Sequence, residues 1–176
     1  MCSIAGIVGP TPERLRQTLK KMGDSLKHRG PDQRGAAVGE GFAFHHNRLS
    51  VIDPQNGRQP MRAEYGGHAY TIVYNGELYN TAELRAELEA EGARFATHCD
   101  TEVVLHAYIR WGKDCARRFN GIFAFAVHDG RRNAVYFARD RMGVKPLFYT
   151  FHEGRLLFAS EIKALLRFPG VRAQVD

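Results

Sequence analysis

Cys2 is the residue best equipped for covalent chemistry, standing one place from the start of the chain in MCSIAGIVG. A thiol attacks as its thiolate, and the pKa of a free cysteine lies near ~8.5. If Met1 is removed, Cys2 carries a free α-amine with a pKa of about 7.7–8.0, able to accept the thiol proton directly or through water. Nucleophile and base then share one residue, an N-terminal-nucleophile arrangement. If Met1 stays, the same nitrogen is an amide and is not basic. The plainer alternative is that Cys2 is a small apolar residue with no special task.

Other residues have types suited to holding a substrate around such a nucleophile. Asn75 and Gly76, in YNGELYN, follow an apolar strand and read as a turn. The Asn75 amide and the Gly76 N–H are two donors that could converge on a developing oxyanion, although Asn-Gly is also an everyday turn signal. Arg48, at the end of an alternating strand in HNRLSVID, could clamp a carboxylate in bidentate fashion, or be an ordinary surface arginine. Asp100, in HCDTEVV, stands where a helix N-cap is expected, and its carboxylate could also pair with an ammonium. Arg29 precedes a tight Gly30-Pro31 bend in the turn-rich RGPDQRG, which otherwise reads as a loop. The eight histidines show no metal-ligand spacing, and His45 and His46 point to opposite faces of their strand. No Ser-His-Asp pattern, P-loop or dinucleotide-binding glycine motif is present.

The elements that must position these residues follow from periodicity. SIAGIV reads as a short buried strand. Thr11 as N-cap and Pro12 at the first helical position open a helix with Leu15, Leu19, Met22 and Leu26 along one face. GFAFHHNRLSV and HAYTIVYNG read as strands, the second ending at Asn75-Gly76. Asn80 with Glu83 forms a capping-box variant before a helix that Gly92 stops, and Asp100 precedes the apolar helix TEVVLHAYIRW. GIFAFAVHD and NAVYFAR pair as a hairpin through Asp129-Gly130, and PLFYTF, GRLLFAS and a short helix EIKALL follow. Strands in runs, with helices segregated between the runs, predict an α+β layered domain.

Composition narrows the class further. The 176 residues suit one domain with a real core, and 44% hydrophobic against 25% charged residues is the balance of a soluble globular protein. No apolar run approaches a membrane span and no secretory signal is visible, so a cytoplasmic protein with no membrane partner is expected. Three cysteines, Cys2, Cys99 and Cys115, make a disulfide framework improbable. The net charge of +6 is spread among acids, as at Glu83, Arg85, Glu87 and Glu89. No nucleic-acid signature accompanies it, so no nucleic-acid partner is expected.

Taken in order, MCSIAGIVG, HRGPD, HNRLSVIDP, QPM, YNGELYN, CDTEVVLHAY, NGIFAFAV, RDRMGVKPLFY and FASEIKALL resemble the glutaminase domain of glutamine-hydrolysing asparagine synthetases. That domain is a class II glutamine amidotransferase, and the resemblance spans nearly all of residues 1–176. It implies a four-layer αββα sandwich of two antiparallel sheets, of the N-terminal-nucleophile hydrolase type. It also implies that Cys2 attacks the side-chain amide of L-glutamine, with its own α-amine as base. Asn75 and Gly76 would form the oxyanion hole, Arg48 would hold the α-carboxylate and Asp100 the α-ammonium. Backbone groups around Leu49, Val51 and Ile52, with Glu77 nearby, would complete the glutamine pocket, and Arg29 would support the nucleophile's loop from behind.

Ammonia would leave first, and water would then release glutamate from a Cys2 thioester. No cofactor is expected in this domain; ATP and magnesium belong to the family's synthetase domain, whose SGGxDS loop has no counterpart here. The end at GVRAQVD leaves open whether terminal strands and that synthetase domain lie beyond it, or on a separate partner subunit that accepts the ammonia. Aspartate is the acceptor the resemblance favours. A homodimer is left open. Cys99 stands where many relatives have serine, and packing is its expected role. The competing reading is a non-catalytic glutamine-binding or interaction domain.

Overall fold

Along β1 (Ser3–Val8), Ile4 and Val8 face one way and Ala5 and Ile7 the other, and this alternation assigns each face to a different core. The computed structural model describes residues 1–10 and 14–174; the Thr11 and Pro12 helix start expected above lies outside them. One sheet has five strands in the order β2 (Gln33–Gly39), β3 (Phe42–Arg48), β1, β9 (Arg155–Ala159), β8 (Phe148–His152). The other has four, in the order β4 (Met61–Tyr65), β5 (His68–Leu78), β6 (Gly121–Asp129), β7 (Ala134–Arg139). All of these pairings are antiparallel.

Three apolar clusters define the layers. Ile4, Phe42, Phe44, Val73, Ala124, Ala126 and Phe158 meet between the two sheets. Ala5, Ile7, Ala43, Leu157 and Ala159 pack outward on Leu15, Leu19 and Met22 of α1 (Arg14–Asp24), and on Ala164 and Leu165 of α4 (Ile162–Leu165). Ile72, Tyr74, Phe125 and Val127 pack outward on Leu84 and Leu88 of α2 (Thr81–Ala90), and on Val103, Val104 and Leu105 of α3 (Asp100–Trp111). Helices, sheet, sheet and helices therefore stack as four layers, the αββα sandwich expected from the resemblance. Fully buried side chains such as Phe44, Phe125 and Phe158 each contribute roughly 1.5–3 kcal/mol relative to exposure.

Three local expectations need correction. The Asn75-Gly76 pair is not a turn: β5 runs straight through it, pairing with β6 from Tyr70↔Asp129 to Leu78↔Gly121. Glycine stands at 76 because the Tyr74 ring crosses that face, and an added Cβ would lie 2.6 Å from it and 2.7 Å from the Ile122 carbonyl oxygen. The Asn80 capping box does not form. Asn80 instead bridges to the segment between α3 and β6, donating from Nδ2 to the Arg118 carbonyl and accepting from the Asn120 N–H, each at 2.9 Å. Asp100 is the first residue of α3 and Cys99 takes the cap position. Gly92 does stop α2, with φ of 93° in the left-handed region.

The inter-sheet core leaves no spare volume at the middle of β1. Gly6 faces it, and a Cβ there would sit 2.3 Å from the Phe158 ring and 2.8 Å from the Ala43 carbonyl oxygen. Gly6→Ala is expected to destabilise the protein by about 1–3 kcal/mol through overpacking. The midpoint of urea unfolding, with an unchanged slope, checks it.

Candidate active site

Where β1 begins, the space between the sheets opens into a cavity of about 180 Å³. Its volume is below the roughly 300–1,000 Å³ common for drug-sized ligands, and suits a molecule of amino-acid size. The walls bring together Cys2, Arg48, Leu49, Val51, Ile52, Asn75, Gly76, Glu77 and Asp100, the nine residues the resemblance assigns to catalysis and the glutamine pocket, while Arg29 lies behind them. Met1, Gly57, Gln59, Tyr74, Cys99, Thr101 and Lys145 complete the lining.

The nucleophile candidate is held by its backbone. The Cys2 carbonyl accepts a hydrogen bond from Arg29 Nε at 3.1 Å, and Arg29 Nη1 in turn donates to Glu161 at 3.1 Å. Glu161 also binds Lys163 at 2.9 Å and His28 Nε2 at 3.0 Å. Immediately after, Ile4 exchanges bonds with Ser160: its N–H donates to Ser160 Oγ and its carbonyl accepts the Ser160 N–H, both at 2.9 Å. Arg29 thus supports Cys2 as expected. The Cys2 Sγ–H donates to the Leu49 carbonyl at 3.6 Å, and burial pushes the thiol pKa up. With Met1 in place, its nitrogen is an amide. In this form the thiol has no base on its own residue.

The donors across the cavity come from β5. Asn75 has the same strand parity as Val73, so it points into the inter-sheet space that Cys2 borders. Asn75 Nδ2 is buried and has no partner among the described residues. Along a strand, alternate N–H groups point the same way. The Tyr74 N–H donates to Gln59 Oε1 at 2.7 Å and the Leu78 N–H to Asp100 Oδ2 at 3.2 Å, both away from β6. Between them, the Gly76 N–H points the same way, towards the cavity. Two donors on one wall, one side-chain and one backbone, are the ingredients of an oxyanion hole.

His46 helps fix that wall. Its Nε2 lies 3.0 Å from the Tyr74 carbonyl, which can only accept, so Nε2 carries the proton. Burial lowers the His46 pKa to about 3, so the ring is neutral at ordinary pH.

Arg48 and Asp100 occupy the cavity's other boundaries, and the two differ. Asp100 accepts from Tyr74 Oη at 3.0 Å as well as from the Leu78 N–H. Burial raises its pKa, and these two donors work in the opposite direction by stabilising the carboxylate. It faces the cavity as an acceptor held in place. Arg48 is not an open clamp. Its Nη1 donates to Gln33 Oε1 at 2.9 Å and the Pro54 carbonyl at 3.0 Å, and its Nη2 to the carbonyls of Ile52 and Asp53 at 2.8 and 2.7 Å. The guanidinium therefore ties residues 52–54 into a loop along the cavity. Gly57 is needed there, since a Cβ would fall 2.2 Å from Arg48 Nη2.

The sequence reading missed Gln59, which lies within the QPM motif, and Asp53, within HNRLSVIDP. Gln59 spans the site, donating from Nε2 to Thr101 Oγ1 at 3.1 Å while its Oε1 takes the Tyr74 N–H. Asp53 holds the loop from outside with φ of 44°, accepting the His98 N–H at 3.0 Å and the Asn56 N–H at 3.1 Å. Its carboxyl pKa is lowered chiefly by the bond from His98. Both motifs were visible; the single residue with a contact in each was not.

The Glu161 cluster makes a pH prediction. Despite partial burial, bonds from Lys163, Arg29 and His28 hold its carboxyl at about 2, below the ordinary 4.5. A depressed folded-state pKa stabilises above the unfolded value and is lost as pH falls through the folded one. The stability gap between wild type and Glu161→Gln is expected to narrow as pH drops from about 5 to about 2. Urea midpoints measured across that window check it.

Comparison with known proteins bears on the same site. A family model described as a glutamine amidotransferase domain matches residues 1–176. Glutamine-hydrolysing asparagine synthetase 3 of Bacillus subtilis is 51% identical over 178 residues, covering 100% of this chain and 29% of that protein. A putative asparagine synthetase of Methanocaldococcus jannaschii is 35% identical over 183 residues, covering 94% of this chain and 35% of the relative. The chain thus spans about a third or less of these two relatives. Among solved structures, the glutamine phosphoribosylpyrophosphate amidotransferase of B. subtilis, complexed with ADP and GMP, superposes with a TM-score of 0.80. That match covers 93% of this chain and 43% of the other at 23% identity, which speaks for the fold. With the family match running over its whole length, the chain belongs to the glutamine amidotransferase domain family.

Proposed function

We propose that this domain hydrolyses the side-chain amide of L-glutamine to L-glutamate and ammonia through a thioester on Cys2. The observation that carries the reading is the buried, unpartnered Asn75 Nδ2 on the wall of the cavity that Cys2 lines. An unmatched buried donor costs about 1–3 kcal/mol, and a substrate oxygen at that place would satisfy it.

The chemistry follows from the groups present. Once Met1 is gone, the Cys2 α-amine takes the Sγ proton, and sulfur attacks the amide carbon of glutamine. The oxyanion forms between Asn75 Nδ2 and the Gly76 N–H. The α-ammonium passes its proton to the leaving nitrogen, the carbon–nitrogen bond breaks, and ammonia departs. Water activated by the same amine then cleaves the thioester, giving glutamate and the free thiol. Asp100 receives the substrate's α-ammonium. Arg48 contributes its charge towards the α-carboxylate and shapes the loop that carries Leu49, Val51 and Ile52.

The ammonia serves an amidation by a synthetase domain or subunit, with aspartate to asparagine as the favoured case, given the relatives' names. ATP and magnesium act in that domain.

Two outcomes test this reading. Intact-mass measurement of purified protein is expected to show loss of Met1, and Cys2→Ala is expected to abolish ammonia release while leaving the melting profile in place. Undiminished turnover in that variant overturns the reading, and saturable glutamine binding by wild type without ammonia release favours a non-catalytic domain. Asn75→Ala is expected to lower kcat by about 10²–10³ with a smaller change in KM, because its donor acts on charge that develops in the transition state. Single-turnover ammonia assays check it.

A further inference from the structure

Lys145 has no part in the steps above, yet it lines the same cavity. Only 8% of it is exposed. Its Nζ makes one hydrogen bond, to Met1 Sδ at 3.4 Å, and no carboxylate lies within ion-pairing distance among the described residues. Lysines are seldom buried unpaired. The one partner, moreover, belongs to the residue whose departure frees the Cys2 amine.

The backbone around Lys145 is fixed with unusual care. Its N–H donates to Asp140 Oδ2 at 3.0 Å and its carbonyl accepts from Arg139 Nε at 2.7 Å. Val144 N–H donates to Asp140 Oδ1 at 2.8 Å. Asp140 itself brackets Phe123, donating to its carbonyl at 2.8 Å and accepting its N–H at 3.2 Å. Phe123 is the cross-strand partner of Gly76. The loop therefore presents its ammonium against the start of the chain, on the wall of the cavity that Cys2 also lines.

The other charges facing Cys2 come from several elements. Arg48 approaches from the end of β3, but its Nη1 and Nη2 are directed to Gln33 and to the carbonyls of residues 52–54. Asp100 approaches from α3 with the opposite sign, and Glu77 of β5 is exposed. Tyr74 and Cys99 line the cavity as further titratable groups. Arg29 reaches Cys2 through the backbone carbonyl and is paired to Glu161. Among the described residues neither Arg48 nor Lys145 is paired with an acid, but the Arg48 guanidinium is held by four protein oxygens, whereas Lys145 Nζ meets only the Met1 thioether. Lys145 and Cys2 line one small cavity, where salt screens charges less than in bulk water.

We propose that Lys145 is an electrostatic positioning residue for Cys2, favouring the thiolate and the neutral α-amine over the thiol and the ammonium. A nearby cation disfavours the second positive charge on the amine and stabilises negative charge on sulfur. It opposes burial and the Asp100 carboxylate, which both favour the uncharged thiol. The proposal rests on Cys2 being the nucleophile of the reading above.

The test is the pH profile of Cys2 alkylation by iodoacetamide, with the modified residue located by peptide mass, in wild type, Lys145→Met, Lys145→Gln and Lys145→Arg. The neutral variants are expected to raise the midpoint by about one unit, slowing alkylation near pH 7 about tenfold, and Lys145→Arg to restore it. The kcat for ammonia release should fall with the thiolate fraction while KM for glutamine changes little. A folded Lys145→Met or Lys145→Gln protein with the wild-type midpoint overturns the proposal. Met retains the apolar stem, so the two neutral variants guard against loss of folding from packing alone. Wild-type protein that shows the Lys145-dependent midpoint but releases no ammonia refutes the glutaminase reading and leaves the role of Lys145 standing.

Discussion

β5 outlasts its outer neighbour. The β4 pairing ends at Met61↔Ile72, while β5 continues to Leu78 on β6. From Tyr74 onward, its outward N–H groups have no strand to bond, and an unpaired backbone donor must find another partner or remain costly. Gln59 takes the first, Asp100 takes the third, and the one between, on Gly76, is turned to the cavity. The rest of the site is arranged around this sheet edge. Gln59 is braced by Thr101, Asp100 by Tyr74, and the Tyr74 carbonyl by His46 from the opposite sheet. An open edge usually invites unwanted pairing; here side chains and a buried cavity cover it.

Much of this was legible because apolar periodicity and loop chemistry leave clear marks. The strand SIAGIV, the α1 face carrying Leu15, Leu19 and Met22, and the hairpin at Asp129-Gly130 form as their patterns predict. Asn75-Gly76 misled because the local signal for a turn is the same whether glycine supplies a positive φ or merely room. At Gly76 it supplies room for the Tyr74 ring, a demand set by residue 100 and invisible in a short window. β2 and β4 escaped for a related reason. Both are edge strands with small or exposed residues, and their registers come from pairing with β3 and β5. Asn80 and Glu83 had the spacing of a capping box, but Arg118 and Asn120 offered the Asn80 side chain better partners from a distant part of the chain.

Arg48 shows how a correct residue can carry a different task from the one its type suggests. A guanidinium at a cavity wall invites assignment to a carboxylate, yet four of its hydrogen bonds go to protein oxygens. Hydrogen bonds from a charged donor are worth about 1.5–3 kcal/mol each, so the 52–54 loop is anchored strongly and any substrate must accept the guanidinium as already oriented. What it offers the cavity is then a field and a shaped loop. The two cations of the cavity are thus held differently: Arg48 ties down the loop that carries Ile52, and Lys145 meets Met1.

Charge also explains why one residue at the start of the chain can control the chemistry. With Met1 attached, the Cys2 nitrogen is an amide, burial keeps the thiol protonated, and the Lys145 ammonium is occupied by a thioether, a weak acceptor. Removing Met1 changes all three at once. It creates a titratable amine, empties part of the cavity, and leaves Lys145 without its sulfur partner. The amine and the ammonium are then like charges near one another, which favours loss of a proton from the stronger acid of the two, the α-ammonium. The frame needs no rearrangement for this, because Arg29, Glu161 and Ser160 fix the Cys2–Ile4 backbone independently of Met1. A rigid clamp on the backbone and a removable cap on the nitrogen together allow the fold to form first and the base to appear afterwards.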